Sequence, residues 1–318
     1  MVLRAVEVPD APAAGDALSG SSRRPALSVV VVTYDMAREL PRTLRSLDPA
    51  YQRGIAADDY EVIVVDNGSP EPLEPELVEG FGGRIRTARV DPAPRYPAPA
   101  ANLGLSLAEG ELVGLLVDGA RMASPGLLAH ALVGQRLAPR SVVATLGWHL
   151  GPARHMEAEA TGWDRAAEDR LLAEIRWEED GYRLFGVSTP AASSARGPFA
   201  PMGESNALFL SRELWAEVGG LDPAFDLLGG GLSNHDLYRR ACEHPGVRLV
   251  VLLGEGTFHQ THGGAATSGR IAWDEMHAQY VALRGRPYRP PENERLYVGR
   301  LPAAVLPAAA AGQKVTGR

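Results

Sequence analysis

Three runs of mostly branched apolar residues each end on a polar side chain: LSVVVVT closes on Thr33, YEVIVVD on Asp66 and ELVGLLVD on Asp118. Continuous apolar runs of this length, rich in Val and Ile, are the pattern of strands buried on both faces. Leu40, Leu44 and Leu47 between the first two are spaced for one face of a helix. Arg84 to Val90 and Ser141 to Gly147 read as further strands, and Asn102 to Glu109 and Pro125 to Leu137 as helices. Strands alternating with helices predict an α/β fold with a mainly parallel sheet covered on both faces. Ligands of such sheets bind beyond the carboxyl ends of the strands. Thr33, Asp66 and Asp118 are therefore predicted to meet along one edge and line a common cleft.

The second half is less regular. Ala166 to Trp177 reads as an amphipathic helix, Ser188 to Pro201 as a loop and Asn206 to Leu210 as a short strand. Arg212 to Val218 reads as a helix stopped by Gly219-Gly220. Asp236 to Glu243 is a helix with Asn234 as candidate cap, and Val247 to Leu253 a late strand. The 318 residues suffice for one large domain of two joined halves, and 45% hydrophobic with 22% charged residues is a globular balance. The net charge of −7, with no basic cluster, points away from a nucleic-acid partner. No apolar run approaches the roughly 18 residues of a membrane span. The first 24 residues lack the apolar centre of a signal peptide and are predicted to be a disordered leader, and residues 286–318 an arm or tail. One cysteine, Cys242, excludes an internal disulfide, reads as a small buried hydrophobe and suits a reducing cytoplasm.

Six blocks, in order, carry a family likeness. SVVVVTYDMARELPRTLRSL, YEVIVVDNGS, AANLGLSLAEGELVGLLVDG, ESNALFLSRELWAEVGGLDPAF, GGGLSNHDLYRRA and GEGTFHQTHGG together resemble the family 2 glycosyltransferases with the GT-A fold, over about residues 25 to 265. The resemblance implies a Rossmann-like, mainly parallel mixed sheet flanked by helices. It implies a nucleotide-sugar half over 25–123 and an acceptor half over 124–285. The implied reaction is transfer of a sugar from a nucleoside diphosphate sugar to a hydroxyl of a carbohydrate, lipid-linked or small-molecule acceptor, with inversion. Two departures stand out. The family's DxD reads Asp118-Gly119-Ala120, and its ED-x-D reads Ser233-Asn234-His235-Asp236.

The resemblance assigns Thr33 and Tyr34 to the nucleotide pocket and Asp66, followed by Asn67, to the base. Asp66 equally suits an anchor for the Asn67-Gly68 turn. Asn102 falls where the family has an asparagine near the diphosphate, and also where a helix cap is expected. Arg95, in a Pro-rich loop, is either a phosphate clamp or a solvated arginine. Asp118 is the implied ligand of a divalent cation, Mn²⁺ or Mg²⁺. With Ala120 in place of the second carboxylate, His259 or His262 is the candidate further ligand. A histidine–carboxylate–phosphate set suits Mn²⁺ better than Mg²⁺. Along an extended strand only one of the two histidines faces the site, unless the chain turns. Asp236, His235 and Glu204 are the candidate bases for the acceptor hydroxyl. Trp148, after a strand, is the foremost indole for stacking on a sugar, ahead of Trp163, Trp177 and Trp215. The rival readings are a nucleotidyltransferase, which would carry a Gly-rich phosphate loop absent from TYDMAREL, and a non-catalytic binding protein of the same fold.

Overall fold

A computed structural model describes residues 4–7, 24–154, 162–262, 271–303 and 306. The first half alternates strand and helix: β1 (Arg4–Glu7), β2 (Leu27–Thr33), α1 (Leu40–Leu47), β3 (Tyr60–Asp66), α2 (Glu76–Glu79), β4 (Arg84–Asp91), α3 (Ala98–Leu107) and β5 (Leu112–Leu116). The rest comprises β6 (Arg121–Ala123), α4 (Leu127–Gln135), β7 (Ser141–Leu150), α5 (Arg165–Ile175), β8 (Ser188–Pro190), β9 (Leu208–Ser211), α6 (Arg212–Val218), α7 (Ser233–Glu243), β10 (Arg248–His259), α8 (Trp273–Arg284) and β11 (Arg295–Gly299).

The eleven strands among the described residues belong to one mixed sheet, ordered β1-β4-β3-β2-β5-β9-β7-β10-β11, with β6 beside β10 and β8 beside β7. Strands β4, β3, β2 and β5 run parallel, and β9 enters antiparallel between β5 and β7. Every residue of β2 and β3 is buried. Alternate side chains serve opposite faces, as a pleated strand requires. Val30, Val32, Ile63 and Val65 pack with α3 on one side, and Val29, Val31, Val62 and Val64 pack with Leu40, Leu44 and Leu47 of α1 on the other. Gly104 lets α3 sit close, because a Cβ there would come 2.3 Å from Val30.

Several sequence expectations shift. Helix α3 starts at Ala98 rather than Asn102 because Pro99 fits its first turn, and α7 starts at Ser233 with no side-chain cap, so Asn234 is not the cap. Within the expected leader, Arg4–Glu7 pairs antiparallel with β4, and within the expected tail, Arg295–Gly299 pairs parallel with β10. Backbone hydrogen bonding thus claims two short segments outside the expected strands. Residues 1–3, 8–23, 304–305 and 307–318 lie outside the described residues. The expected loop from Ser188 opens with the short strand β8. Strand β10 continues to His259, past the expected stop at Leu253, because it pairs with β6 through Thr257, Phe258 and His259. No helix among the described residues is long and apolar enough to cross a membrane.

Candidate functional site

The parallel register brings the polar strand ends together. Thr33 lies opposite Asp66, and Val31 lies opposite Leu116, so Asp118 follows at the level of Thr33. Gly119 packs so closely on Thr33 that a Cβ would stand 2.8 Å from its Oγ1. The Oγ1 of Thr33 and the Oδ1 of Asn67 are buried without a hydrogen-bond partner among the described residues. Tyr34 and Arg95 are exposed on the adjoining loops.

Asp118 is the centre of the arrangement. Its Oδ2 lies 2.7 Å from His259 Nε2 and 3.3 Å from His262 Nε2, and the two imidazole nitrogens are 2.9 Å apart. Both histidines reach one point because the chain turns after β10. Gln260 N donates to Ala120 O at 2.9 Å and Thr261 N to the buried Glu168 at 2.7 Å. Arg38 and Arg165 donate to the carbonyls of Thr261 and His262. The missing second carboxylate also has a structural counterpart. Ala120 is fully buried, and its N–H donates to Asp118 Oδ1 at 2.9 Å.

The three donor atoms lie within 4.8 Å of one another. A cation with bonds of about 2.1 Å at right angles needs donors about 3 Å apart, and the observed separations of 2.7, 2.9 and 3.3 Å match that triangle. Two histidines and one carboxylate converging in this way suit a divalent transition metal. Burial raises the pKa of Asp118, but His262 and His259 outweigh it and hold the carboxyl well below its ordinary range. Burial lowers that of His262, and Asp118 more than reverses this.

A second polar cluster stands beyond β6. Glu204 Oε2 accepts from Asn234 Nδ2 at 2.6 Å and lies 3.3 Å from His235 Nδ1. Burial pushes the Glu204 carboxyl up, but His235 and Arg121 hold it below its ordinary value. Arg121, at the head of β6, is linked electrostatically to both Glu204 and Asp118. The ring of His235 meets Trp273 edge-on at 6.0 Å, and that indole is 49% exposed. Arg121 and Trp273 escaped the sequence reading. An arginine inside the apolar stretch Ala120 to Ala123 is the signal that was there to find. Nothing in the sequence sets Trp273 apart.

Other candidates are committed elsewhere. Asp236 is 1% exposed, and its carboxylate accepts from Arg284 Nε at 2.6 Å, Arg284 Nη2 at 2.8 Å and Arg240 Nε at 2.7 Å. Both its oxygens are taken up by two guanidiniums, so Asp236, expected as a base, serves here as a tie between helices. It borders an open cavity of about 460 Å³ whose lining omits Asp118, Glu204 and His235. Asn102 is mid-helix, not a cap, and both ends of its amide hold the Leu221 backbone, at 2.8 and 2.9 Å. Its amide is thus engaged in holding the turn after α6. Asp66 anchors its turn through Ser69 N and Oγ, at 2.8 and 2.6 Å, and pairs with Arg89. Trp148 is 2% exposed, edge-on to Phe185 at 5.3 Å, so it belongs to the core and not to a sugar platform. Trp177 and Trp215 are also buried. Cys242 is buried, and burial lifts its thiol to about 12.

Residues 28–118 match the model of the family described as Glycosyl transferase family 2. Over 133 residues the chain is 34% identical to validoxylamine A glucosyltransferase of Streptomyces hygroscopicus subsp. jinggangensis (strain 5008), a match covering 42% of this chain and 28% of that protein. The protein of the same name from subsp. limoneus is 33% identical over 133 residues, covering 42% and 26%. The matches therefore span little more than a quarter of those relatives' length. Among solved structures, S. aureus TarS 1-349 in complex with UDP-GlcNAc superposes with a TM-score of 0.53 at 13% identity, covering 80% of this chain and 66% of that one. S. aureus TarS gives 0.51 at 13% identity, covering 80% and 42%. At such identity the likeness concerns the fold alone. The family match thus runs from β2 to Asp118, and the sheet that those strands begin has the GT-A fold.

Proposed function

We propose that this chain transfers a sugar, with inversion, from a nucleoside diphosphate sugar to an acceptor hydroxyl. The observation that carries the reading is the convergence of Asp118, His259 and His262 at the carboxyl edge of the parallel strands. A divalent cation held there, Mn²⁺ by its ligand set, supplies positive charge for a departing diphosphate. Thr33, Tyr34, Asp66 and Asn67 border the same edge on the nucleotide side. On the far side, Glu204 accepts the acceptor hydroxyl's proton as its oxygen bonds the anomeric carbon. The electron pair of the old glycosyl–phosphate bond leaves with the nucleoside diphosphate. His235 holds Glu204 ionised and oriented. Trp273 offers an exposed aromatic face for the acceptor.

The relatives named as glucosyltransferases make a glucosyl donor the first to test. The experiment incubates purified protein with Mn²⁺ and a panel of nucleoside diphosphate sugars, following release of nucleoside diphosphate. Release from one donor, abolished by chelation, is expected. Binding of a donor with neither transfer nor hydrolysis would leave a non-catalytic module, and binding of none would end the reading.

A further inference from the structure

Arg121 is a buried guanidinium two of whose nitrogens find no hydrogen-bond acceptor among the described residues. It is 8% exposed, and those nitrogens are its Nε and Nη1. Asp118 Oδ2 stands 4.0 Å from the Nε, beyond hydrogen-bond reach. Arg121 lies opposite His259 in the antiparallel β6–β10 pair. Residues paired in this way project to the same face, and His259 uses that face to reach Asp118. The guanidinium therefore flanks the candidate cation site on the side toward Glu204, whose charge also acts on it.

A guanidinium remains charged in proteins, and desolvated N–H groups without acceptors are costly. Arg240 and Arg284 show the alternative. They too are largely shielded, but their N–H groups are taken up by Asp236, Asp222 and the carbonyls of Val218 and Gly220. The deficit at Arg121 is relieved by a ligand with anionic oxygens. The triad and this planar donor adjoin, with Arg121 Nε 4.0 Å from Asp118 Oδ2 and Arg121 paired with His259, so a ligand that meets both offers several such oxygens to two positive centres, as a diphosphate does.

We propose that Arg121 binds the diphosphate of the donor, sharing it with the cation site, and donates to the oxygen that receives the electron pair of the breaking glycosyl–phosphate bond. This rests on the glycosyltransferase reading above.

The test compares wild type with Arg121→Gln and Arg121→Lys by calorimetry, using UDP and GDP with Mn²⁺ and the two nucleosides as controls. Arg121→Gln is expected to lose tenfold to a hundredfold in affinity for the nucleoside diphosphate. Nucleoside affinity and the thermal shift with Mn²⁺ alone are expected to stay at wild-type values. Arg121→Lys, which keeps the charge but not the planar fork, should lose less, and it gives the same comparison if Arg121→Gln does not fold. Equal diphosphate affinity in wild type and variants overturns the role of Arg121 and leaves the glycosyltransferase reading standing. Failure of the wild type to bind any nucleoside diphosphate overturns both. A loss confined to a donor with a carboxylated sugar, such as UDP-glucuronate against UDP-glucose, overturns the diphosphate assignment by moving the guanidinium's partner to the sugar.

Discussion

Asp236 and Asp118 are both aspartates in segments that resemble family motifs, both shielded and both near arginines, yet their surroundings are opposite. Asp236 is saturated, with three short hydrogen bonds from Arg240 and Arg284, which also hold Asp222 and the carbonyls of Val218 and Gly220. Asp118 has two histidines whose nitrogens converge on one of its oxygens, while Arg121 stands too far away to bond it. A neutralised, hydrogen-bonded cluster ties α7, α8 and the turn after α6 together. At Asp118, by contrast, ligand atoms converge beside N–H groups of Arg121 that have no acceptor among the described residues. The aspartate that looks more like a base in the sequence is thus the one the fold uses as a tie.

The sharpest way to break this contrast is to remove each charge in turn. Asp118→Asn is expected to lower the transfer rate by about 10²–10³-fold while changing unfolding free energy in urea by less than about 1 kcal/mol. Glu204→Gln should lower kcat by about 10²-fold or more without altering the effect of Mn²⁺ on melting. Asp236→Asn strands two guanidiniums, so about 3 kcal/mol of stability is expected to go. Its folded fraction, assayed at low temperature, should keep transfer within about tenfold of wild type. A rate loss in folded Asp236→Asn as large as that of Glu204→Gln would restore Asp236 as the base.

Two smaller effects sharpen the contrast. Mn²⁺ at a hundred times its Kd adds about 2.7 kcal/mol. The resulting rise in Tm should vanish in Asp118→Asn and in His262→Ala and persist in Asp236→Asn. The pH dependence follows from the shifted groups. The pKa of His262 is raised above 6.5, so its proton stabilises the metal-free fold below that pH, and this is lost as pH rises through the raised value. That of Asp118 is depressed below 3.8, so its contribution is present above that pH and lost as pH falls through the depressed value. A cation must displace the His262 proton. Mn²⁺ affinity, read by calorimetry, should therefore rise by up to about tenfold per pH unit while that proton remains bound, and level off above.

Much of the frame was legible because burial writes itself into sequence. LSVVVVT and YEVIVVD are apolar on both faces, and the observed β2 and β3 begin and end where those runs do. The meeting of Thr33, Asp66 and Asp118 on one edge followed from the same runs, because parallel neighbours in register end together. Strands β1 and β11 were not legible. They join the sheet through backbone hydrogen bonds, and edge pairing asks little of composition. Trp148 misled for a related reason. Its place after an expected strand end suggested exposure, but β7 runs on to Leu150 and buries it.

The local sequence determined which residue types were on offer: a carboxylate at the end of a buried run, two histidines three positions apart, and acids and a histidine in the later blocks. Only the tertiary structure decided how each is used. The turn after His259 is held by Glu168, Arg38, Arg165 and Ala120, contacts more than 90 residues away in the chain, and without it the two histidines would point apart. Asp236 meets Arg284 across 48 residues, and Arg121 lines up with His259 only because β6 pairs with β10. Charge state and hydrogen-bond capacity are settled by neighbours in space, and a linear sequence does not hold those neighbours together.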